Sequence, residues 1–261
     1  MIRFALFLVV GAPVTVVFSA LAVLGGLVGA GRDWFDRIHR GWSRTLLAAA
    51  GVGVEVEGLE HVARGGPQVL VANHQSLFDI LGLFAAVPVS LRFVAKMELS
   101  RVPLFGAAMR RAGHVLIDRT DRAQAVDAMR EAGQRMKEEG LTLVLFPEGT
   151  RSRDGELKRF RRGSFVLAIE TQSVLVPVAL EGGAEILPAG RRRLEPGTLR
   201  IRCGPPVALE GMTRDDRDRL LRSCRETIAD LLDDLRPAAG DGPSGTGARD
   251  RDRSPRSAEG A

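Results

Sequence analysis

Tyrosine is missing from this 261-residue chain, and aromatic residues make up only 5% of it. Its phenylalanines lie mostly in apolar runs, which leaves poor platforms for base stacking. No zinc-ligand spacing, helix-turn-helix signature or aromatic-basic RNA motif is present either. The net charge of +5 and the pI near 10.1 therefore point away from nucleic acid and toward a membrane surface as the anionic partner. Cysteine is also scarce. Cys203 and Cys224 fall on a predicted strand and a predicted helix and read as reduced, buried small hydrophobes, with no metal site in prospect. A G-x-S-x-G elbow is absent, so no serine nucleophile of that type is expected. No internal repeat is visible.

What the chain does have is two polar blocks, each launched from a short apolar run. Asn73-His74-Gln75-Ser76-Leu77-Phe78-Asp79 follows Val-Leu-Val-Ala, and Phe146-Pro147-Glu148-Gly149-Thr150-Arg151-Ser152 follows Leu-Thr-Leu-Val-Leu. Runs of that length and β-branched content read as buried strands, and in open α/β sheets ligands bind beyond strand ends. An enzyme is the reading. On one continuous helix His74 and Asp79 would stand roughly 140° apart. They meet if His74 lies in the turn after the strand and Asp79 in the first turn of the next helix. Ser76 is then a plausible N-cap, with Asp79 at the capping-box position; in the plainer reading Asp79 only caps that helix.

Four blocks in order carry a family resemblance. NHQSLFD resembles the NHxxxxD block of the 1-acylglycerol-3-phosphate acyltransferases, membrane enzymes that convert lysophosphatidate to phosphatidate. Gly113-His114-Val115-Leu116-Ile117-Asp118-Arg119 resembles their second block. FPEGTRS with its continuation Phe160-Arg161-Arg162-Gly163-Ser164-Phe165 resembles the third, and Val176-Pro177-Val178-Ala179 the fourth. The segment KMELSRVPLFG from Lys96 to Gly106 is also similar to the family's, and the likeness runs from about Val54 to Leu209. It implies a glycerolphosphate-acyltransferase-like α/β fold, a mixed sheet flanked by helices. It further implies that Glu148 and Gly149 shape the acceptor pocket and that Arg151 meets the acceptor phosphate, with Arg119 and Lys96 at matching cationic positions.

The chemistry of those residue types agrees. Acyl transfer from a thioester to an alcohol needs a base for the hydroxyl proton and stabilisation of a developing oxyanion. Histidine is the side chain that titrates nearest neutrality, and a carboxylate on its other ring nitrogen fixes the tautomer. His74 is thus expected to deprotonate the acceptor and Asp79 to orient it. The substrate supplies the oxygen, so an acyl-enzyme on Ser76 is not required. Arginine suits bidentate phosphate contacts and lysine supplies a point charge. Lys158, Arg159, Arg161 and Arg162 form a denser cluster, suited to the phosphates of CoA or a carrier protein or to lipid head groups. The expected acyl donor is acyl-CoA or acyl carrier protein, with no metal and no bound cofactor. Other acceptors remain open: lyso-ornithine lipid, another lysophospholipid or glycerol 3-phosphate. So does a lipid-binding protein without turnover.

Residues 4–31 carry no charge and as a helix would reach roughly 40 Å, enough to cross the hydrocarbon. Arg32, Arg37, Arg40 and Arg44 follow, and the positive-inside bias places the catalytic part in the cytoplasm, at the cell membrane. Residues 33–50 form a second helix whose stripe of Trp34, Ile38, Trp42 and Leu46 suits the membrane interface or core packing. The resemblance implies a hairpin dipping into one leaflet; a full span is the alternative. Strands are expected at 52–57, 68–72, 91–95, 114–117, 141–146, 174–180 and 199–203, with amphipathic helices at 122–139, stopped by Gly140, and 213–235. The organisation expected is membrane-anchoring helices at 1–50, an acyltransferase domain at 51–236 and a disordered tail at 237–261, which has no Leu, Ile, Val or Phe.

Overall fold

Strands of two to eight residues, mostly apolar at the sheet's centre, pair into one mixed sheet. The computed structural model describes residues 1–118 and 121–236, the side chains of Arg122, Ala125 and Val126 excepted. Its strands are β1 (Val52–Glu57), β2 (Gln68–Ala72), β3 (Leu91–Lys96), β4 (Val115–Ile117), β5 (Thr142–Leu145), β6 (Val174–Glu181), β7 (Gly197–Cys203) and β8 (Val207–Ala208). The order across the sheet is β1-β7-β6-β2-β5-β3-β4, with β8 beside the start of β6. Neighbours from β6 to β4 run parallel, whereas β7 and β8 run antiparallel to β6. Each of the seven expected strands is found to within two residues; the two-residue β8, directly after Pro205-Pro206, is additional.

The helices are α1 (Ile2–Leu27), α2 (Arg32–Ala50), α3 (Phe78–Ala86), α4 (Phe105–Arg111), α5 (Arg122–Glu139), α6 (Arg162–Thr171), α7 (Gly183–Ile186) and α8 (Arg217–Leu235). Side chains alternate across the strands. Leu70 and Ala72 of β2 point into a core shared with α1, α2 and α3, while Val69 and Val71 point into one shared with α5, α6 and α8. Burial on both faces explains why these strands read as unbroken apolar runs. Cys203 and Cys224 are buried free thiols, one in each core. Gly140 ends α5 in the left-handed conformation, and Thr213 with Asp216 forms a capping box ahead of α8.

The two N-terminal helices belong to the first core. Phe7, Leu46 and Leu47 are buried with the sheet residues, and Phe7 meets Phe78 at a ring separation of 5.7 Å. On α2, Asp36 accepts from Arg92 Nη1 at 2.8 Å and from Ser90, a buried ion pair that joins the helix to β3. Beside it, the main-chain N–H of Phe93 donates to His114 Nδ1 (3.1 Å), and His114 Nε2 lies 3.2 Å from His39 Nε2. Burial, aided by the nearby charge of Arg92, pushes the His114 pKa down to about 3. The ring is therefore neutral, and with Nδ1 accepting, Nε2 carries the proton given to His39. The indoles of α2 lie against α1: Trp34 Nε1 donates to Leu21 O (3.2 Å) and Trp42 Nε1 to Thr15 Oγ1 (3.0 Å). An indole N–H packed against a neighbouring element seeks an acceptor, and the adjacent helix offers two.

Candidate active site

The site forms where β2 ends. Asn73 continues the ladder with its side chain, donating to Leu180 O (2.8 Å) and accepting from Leu180 N (2.7 Å). This clamp fixes the point at which the chain leaves the sheet. His74 occupies the turn, and Asp79 lies in the first turn of α3. His74 Nδ1 and Asp79 Oδ2 are 2.8 Å apart. The same oxygen accepts the main-chain N–H groups of Gln75 (2.7 Å) and Ser76 (2.8 Å). Asp79 therefore caps the helix start and holds the imidazole at once. It is fully buried, and its other oxygen, Oδ1, has no hydrogen-bond partner.

Ser76 departs from its expected part. Its hydroxyl donates to Leu187 O at 2.8 Å, and Leu77 occupies the N-cap position with no side-chain cap. The bond crosses to the end of α7 and ties the His74 turn to the segment that follows β6. Gly183, at the start of α7, closes the same wall. A Cβ there would stand 2.5 Å from Asp79 Oδ1 and 3.0 Å from Ser76 Cβ, so glycine is required for the approach.

The second block packs over the first. Phe146 stacks on the imidazole of His74 with ring centres 4.0 Å apart and planes at 14°. Glu148 Oε1 accepts the main-chain N–H of His74 (2.9 Å), and the N–H of Ser152 donates to His74 O (2.7 Å). The turn is thus gripped at both its amide and its carbonyl. Glu148 is 4% exposed. Burial raises its pKa to about 7, against the opposing pull of the His74 amide and of Lys158, with Asp79 adding to the rise. Gly149 has φ +70°, and the Arg161 side chain passes across it, its Nε 2.8 Å from where a Cβ would stand.

Of the residues singled out from sequence, His74, Asp79, Glu148 and Gly149 come together in this cluster. Arg151 is exposed on the same loop, one residue before the Ser152 amide that binds His74, and its guanidinium has no acidic partner among the described residues. Lys96 is exposed at the C-terminal end of β3, two strands across from β2, roughly 10 Å away at ordinary strand spacing. Arg119 lies outside the described residues, as does the tail from 237. Asn73, Gln75 and Phe146 were not assigned from sequence. Gln75 Nε2 reaches Gly155 O (3.1 Å) and Glu181 Oε2 (3.2 Å). Such long-range partners leave no local pattern to find. Among the described residues, no group of three or more His, Cys, Asp or Glu is placed to hold a metal ion.

With Nδ1 committed to Asp79, Nε2 of His74 has no protein partner among the described residues, and the side chain keeps 14% exposure. A histidine so held can accept a proton at Nε2, and the histidine–carboxylate pair stands at a strand end of a mixed α/β sheet, where ligands bind in open sheets. A family model described as Acyltransferase matches residues 53–181. Over 186 residues the chain is 35% identical to 1-acyl-sn-glycerol-3-phosphate acyltransferase alpha of Mus musculus, covering 71% of this chain and 65% of that one. It is 30% identical over 189 residues to the beta form of Homo sapiens, covering 72% and 68%. The crystal structure of the 1-acyl-sn-glycerophosphate (LPA) acyltransferase PlsC from Thermotoga maritima superposes with a TM-score of 0.78 at 26% identity, covering 90% of this chain and 95% of that one. The chain belongs to the 1-acyl-sn-glycerol-3-phosphate acyltransferase family. It spans about 65% of the length of the first of these relatives.

Proposed function

We propose that the protein transfers a fatty acyl group from a thioester, acyl-CoA or acyl carrier protein, to the sn-2 hydroxyl of 1-acylglycerol 3-phosphate, giving phosphatidate. The carrying observation is the His74–Asp79 pair, locked by three donors on one carboxylate oxygen at the end of β2. His74 Nε2 accepts the hydroxyl proton as the substrate oxygen attacks the thioester carbonyl. Collapse of the tetrahedral adduct breaks the C–S bond, and the imidazolium returns its proton to the leaving thiolate. Asp79 stabilises the transient imidazolium and holds its tautomer. Ser76 plays no covalent part, since its hydroxyl is spent on Leu187 O. Arg151 and Lys96, both exposed on the C-terminal side of the sheet, supply charge for the acceptor phosphate, with Arg119 as a third candidate cation.

The lipid acceptor calls for a membrane-bound enzyme, and α1 supports one. It is long and apolar enough to cross a bilayer, with a mean hydropathy of 2.5, and exposes Leu6, Val9, Val16, Val17, Leu24 and Leu27. A perpendicular span is the poorer fit. α2 lies alongside α1, with contacts from Trp34–Leu21 to Trp42–Thr15. Driving α1 through the bilayer would draw Arg37, Arg40 and Arg44 inward, at about 2.5–3.5 kcal/mol each near the midplane. We therefore place α1 in one leaflet with its uncovered side among acyl chains, on the cytoplasmic face.

The test is acyl transfer by the detergent-solubilised full chain and its His74→Ala variant. Lysophosphatidate, glycerol 3-phosphate and neutral lysolipids are each offered with acyl-CoA and with acyl carrier protein. Product from lysophosphatidate that vanishes in the variant supports the reading. Product only from another acceptor overturns the substrate assignment, and undiminished turnover in His74→Ala overturns the mechanism.

A further inference from the structure

The arginines after α1 resemble flanking charges when read along the chain. In three dimensions Arg32, Arg37 and Arg40 join Arg64, from the loop before β2, around a cleft of about 420 Å³. That volume lies within the range of small-molecule sites, roughly 300–1,000 Å³. The floor includes Ser90, just before β3, and Thr142, the first residue of β5, and the rim includes Gly65 and Gly66. These are the N-terminal ends of the parallel strands. His74 follows the C-terminal end of β2, so the cleft and the catalytic turn are separated by the strand's length, about 17 Å for five residues.

The charge in the cleft is unbalanced. Asp36 is spent on Arg92 and Ser90. Asp33 lies 3.7 Å from Arg32, which also donates to Glu139 O at 2.6 Å. Arg37, Arg40 and Arg64 have no acidic partner among the described residues. Four guanidiniums, three of them uncompensated, face one small volume beside the uncapped first turn of α2, where main-chain N–H groups also favour an anion. The exposed apolar face of α1 ends at this point, with Leu27 64% and Val28 83% exposed. A helix lying in a leaflet would bring the cleft to head-group depth.

We infer that this cleft binds the phosphate of an anionic phospholipid head group, a second lipid site apart from the acyl-transfer centre. Guanidiniums match phosphate oxygens in pairs, which lysine cannot reproduce, and the membrane supplies the ligand at high local concentration. The site fixes how the protein sits on the bilayer; it rests on the leaflet placement of α1 proposed above and not on the chemistry of acyl transfer.

Vesicle sedimentation of the full chain tests it, with phosphatidylcholine vesicles containing or lacking phosphatidylglycerol. Arg64→Gln is compared with Arg64→Lys and with R191Q/R192Q, a pair of exposed arginines outside the cleft. Arg64→Gln is expected to weaken partitioning to phosphatidylglycerol vesicles about fivefold and to leave neutral vesicles unaffected. Arg64→Lys should restore only part of the loss, and R191Q/R192Q should behave as the parent. Full restoration by lysine, or an equal loss in R191Q/R192Q, would show a diffuse field and overturn the site. Inorganic phosphate at matched ionic strength should not release the protein; release would make free phosphate the ligand and overturn the head-group assignment. Circular dichroism confirms that each variant is folded.

Discussion

Replacing Asp79 by asparagine separates two jobs that a catalytic carboxylate performs, orienting its histidine and answering its charge. In a serine-protease triad the equivalent change costs about 10⁴ in kcat because the amide leaves the histidine in the wrong tautomer. The present geometry predicts a smaller loss. Asp79 Oδ2 accepts the Gln75 and Ser76 amides at 2.7 and 2.8 Å as well as His74 Nδ1 at 2.8 Å. Two fixed main-chain donors force the carboxamide to present its oxygen to them, because its NH₂ would face two N–H groups. His74 then keeps Nδ1–H and a free Nε2. What disappears is the charge. For charge centres about 4 Å apart at an effective dielectric of 20, a full imidazolium–carboxylate attraction is about 4 kcal/mol; with half the charge developed at the transition state it is about 2 kcal/mol. Asp79→Asn should therefore lower kcat roughly 30- to 1,000-fold, with KM for the acceptor little changed. Steady-state acyl transfer of both variants beside the parent, with folding checked by thermal denaturation, gives the answer. A fall to the His74→Ala background would refute the claim that the amides hold the tautomer, and near-parental turnover would refute any role for the charge.

Three further outcomes follow from the site. Glu148→Gln should stabilise the protein with a pH dependence of definite sign: the folded carboxyl keeps its proton up to about 7, so the native state loses stability relative to the unfolded chain as pH rises from about 4.5 through 7. The variant lacks that loss, up to about 3 kcal/mol, and melting curves at pH 5 and pH 8 should show its advantage at pH 8 only; an equal difference at both would contradict the burial argument. Asn73→Ala leaves the buried N–H and C=O of Leu180 without their side-chain partner and should cost about 2–4 kcal/mol in chemical denaturation; a change below 1 kcal/mol would show the clamp is dispensable. Gly183→Ala puts a methyl group against Asp79 Oδ1, so kcat should drop at least about tenfold while the far-UV spectrum stays native, and unchanged turnover would mean that α7 yields freely.

Much of this was legible along the chain because the relevant forces act locally. Strands buried on both faces must be apolar throughout, so β2 and β5 announced themselves. The periodicity of 122–139 and 213–235 located α5 and α8, with Gly140 and Thr213 marking their ends. The meeting of His74 and Asp79 needed only a turn followed by a helix start. What escaped was set by partners far away in sequence. Ser76 reads as a cap from its neighbours, yet Leu187 O, 111 residues on, takes its hydroxyl. Glu148 looked like a pocket residue, and its position 74 residues from His74 gave no hint that it holds that residue's amide. The tryptophan stripe of α2 fixed which residues share a face but not that the face meets α1.

The packing of Phe7, Leu46 and Leu47 into the same core as β2 and α3 also bears on how this protein can be handled. An anchor joined by a loose linker can be cut away to leave a water-soluble enzyme. Here removal of residues 1–50 would strip one wall from the core, leave Arg92 buried without Asp36, and uncover Phe78, the residue next to Asp79. Purification therefore has to carry the apolar helix along, in detergent or lipid, and loss of activity on truncation would report a broken fold before it reported a lost membrane.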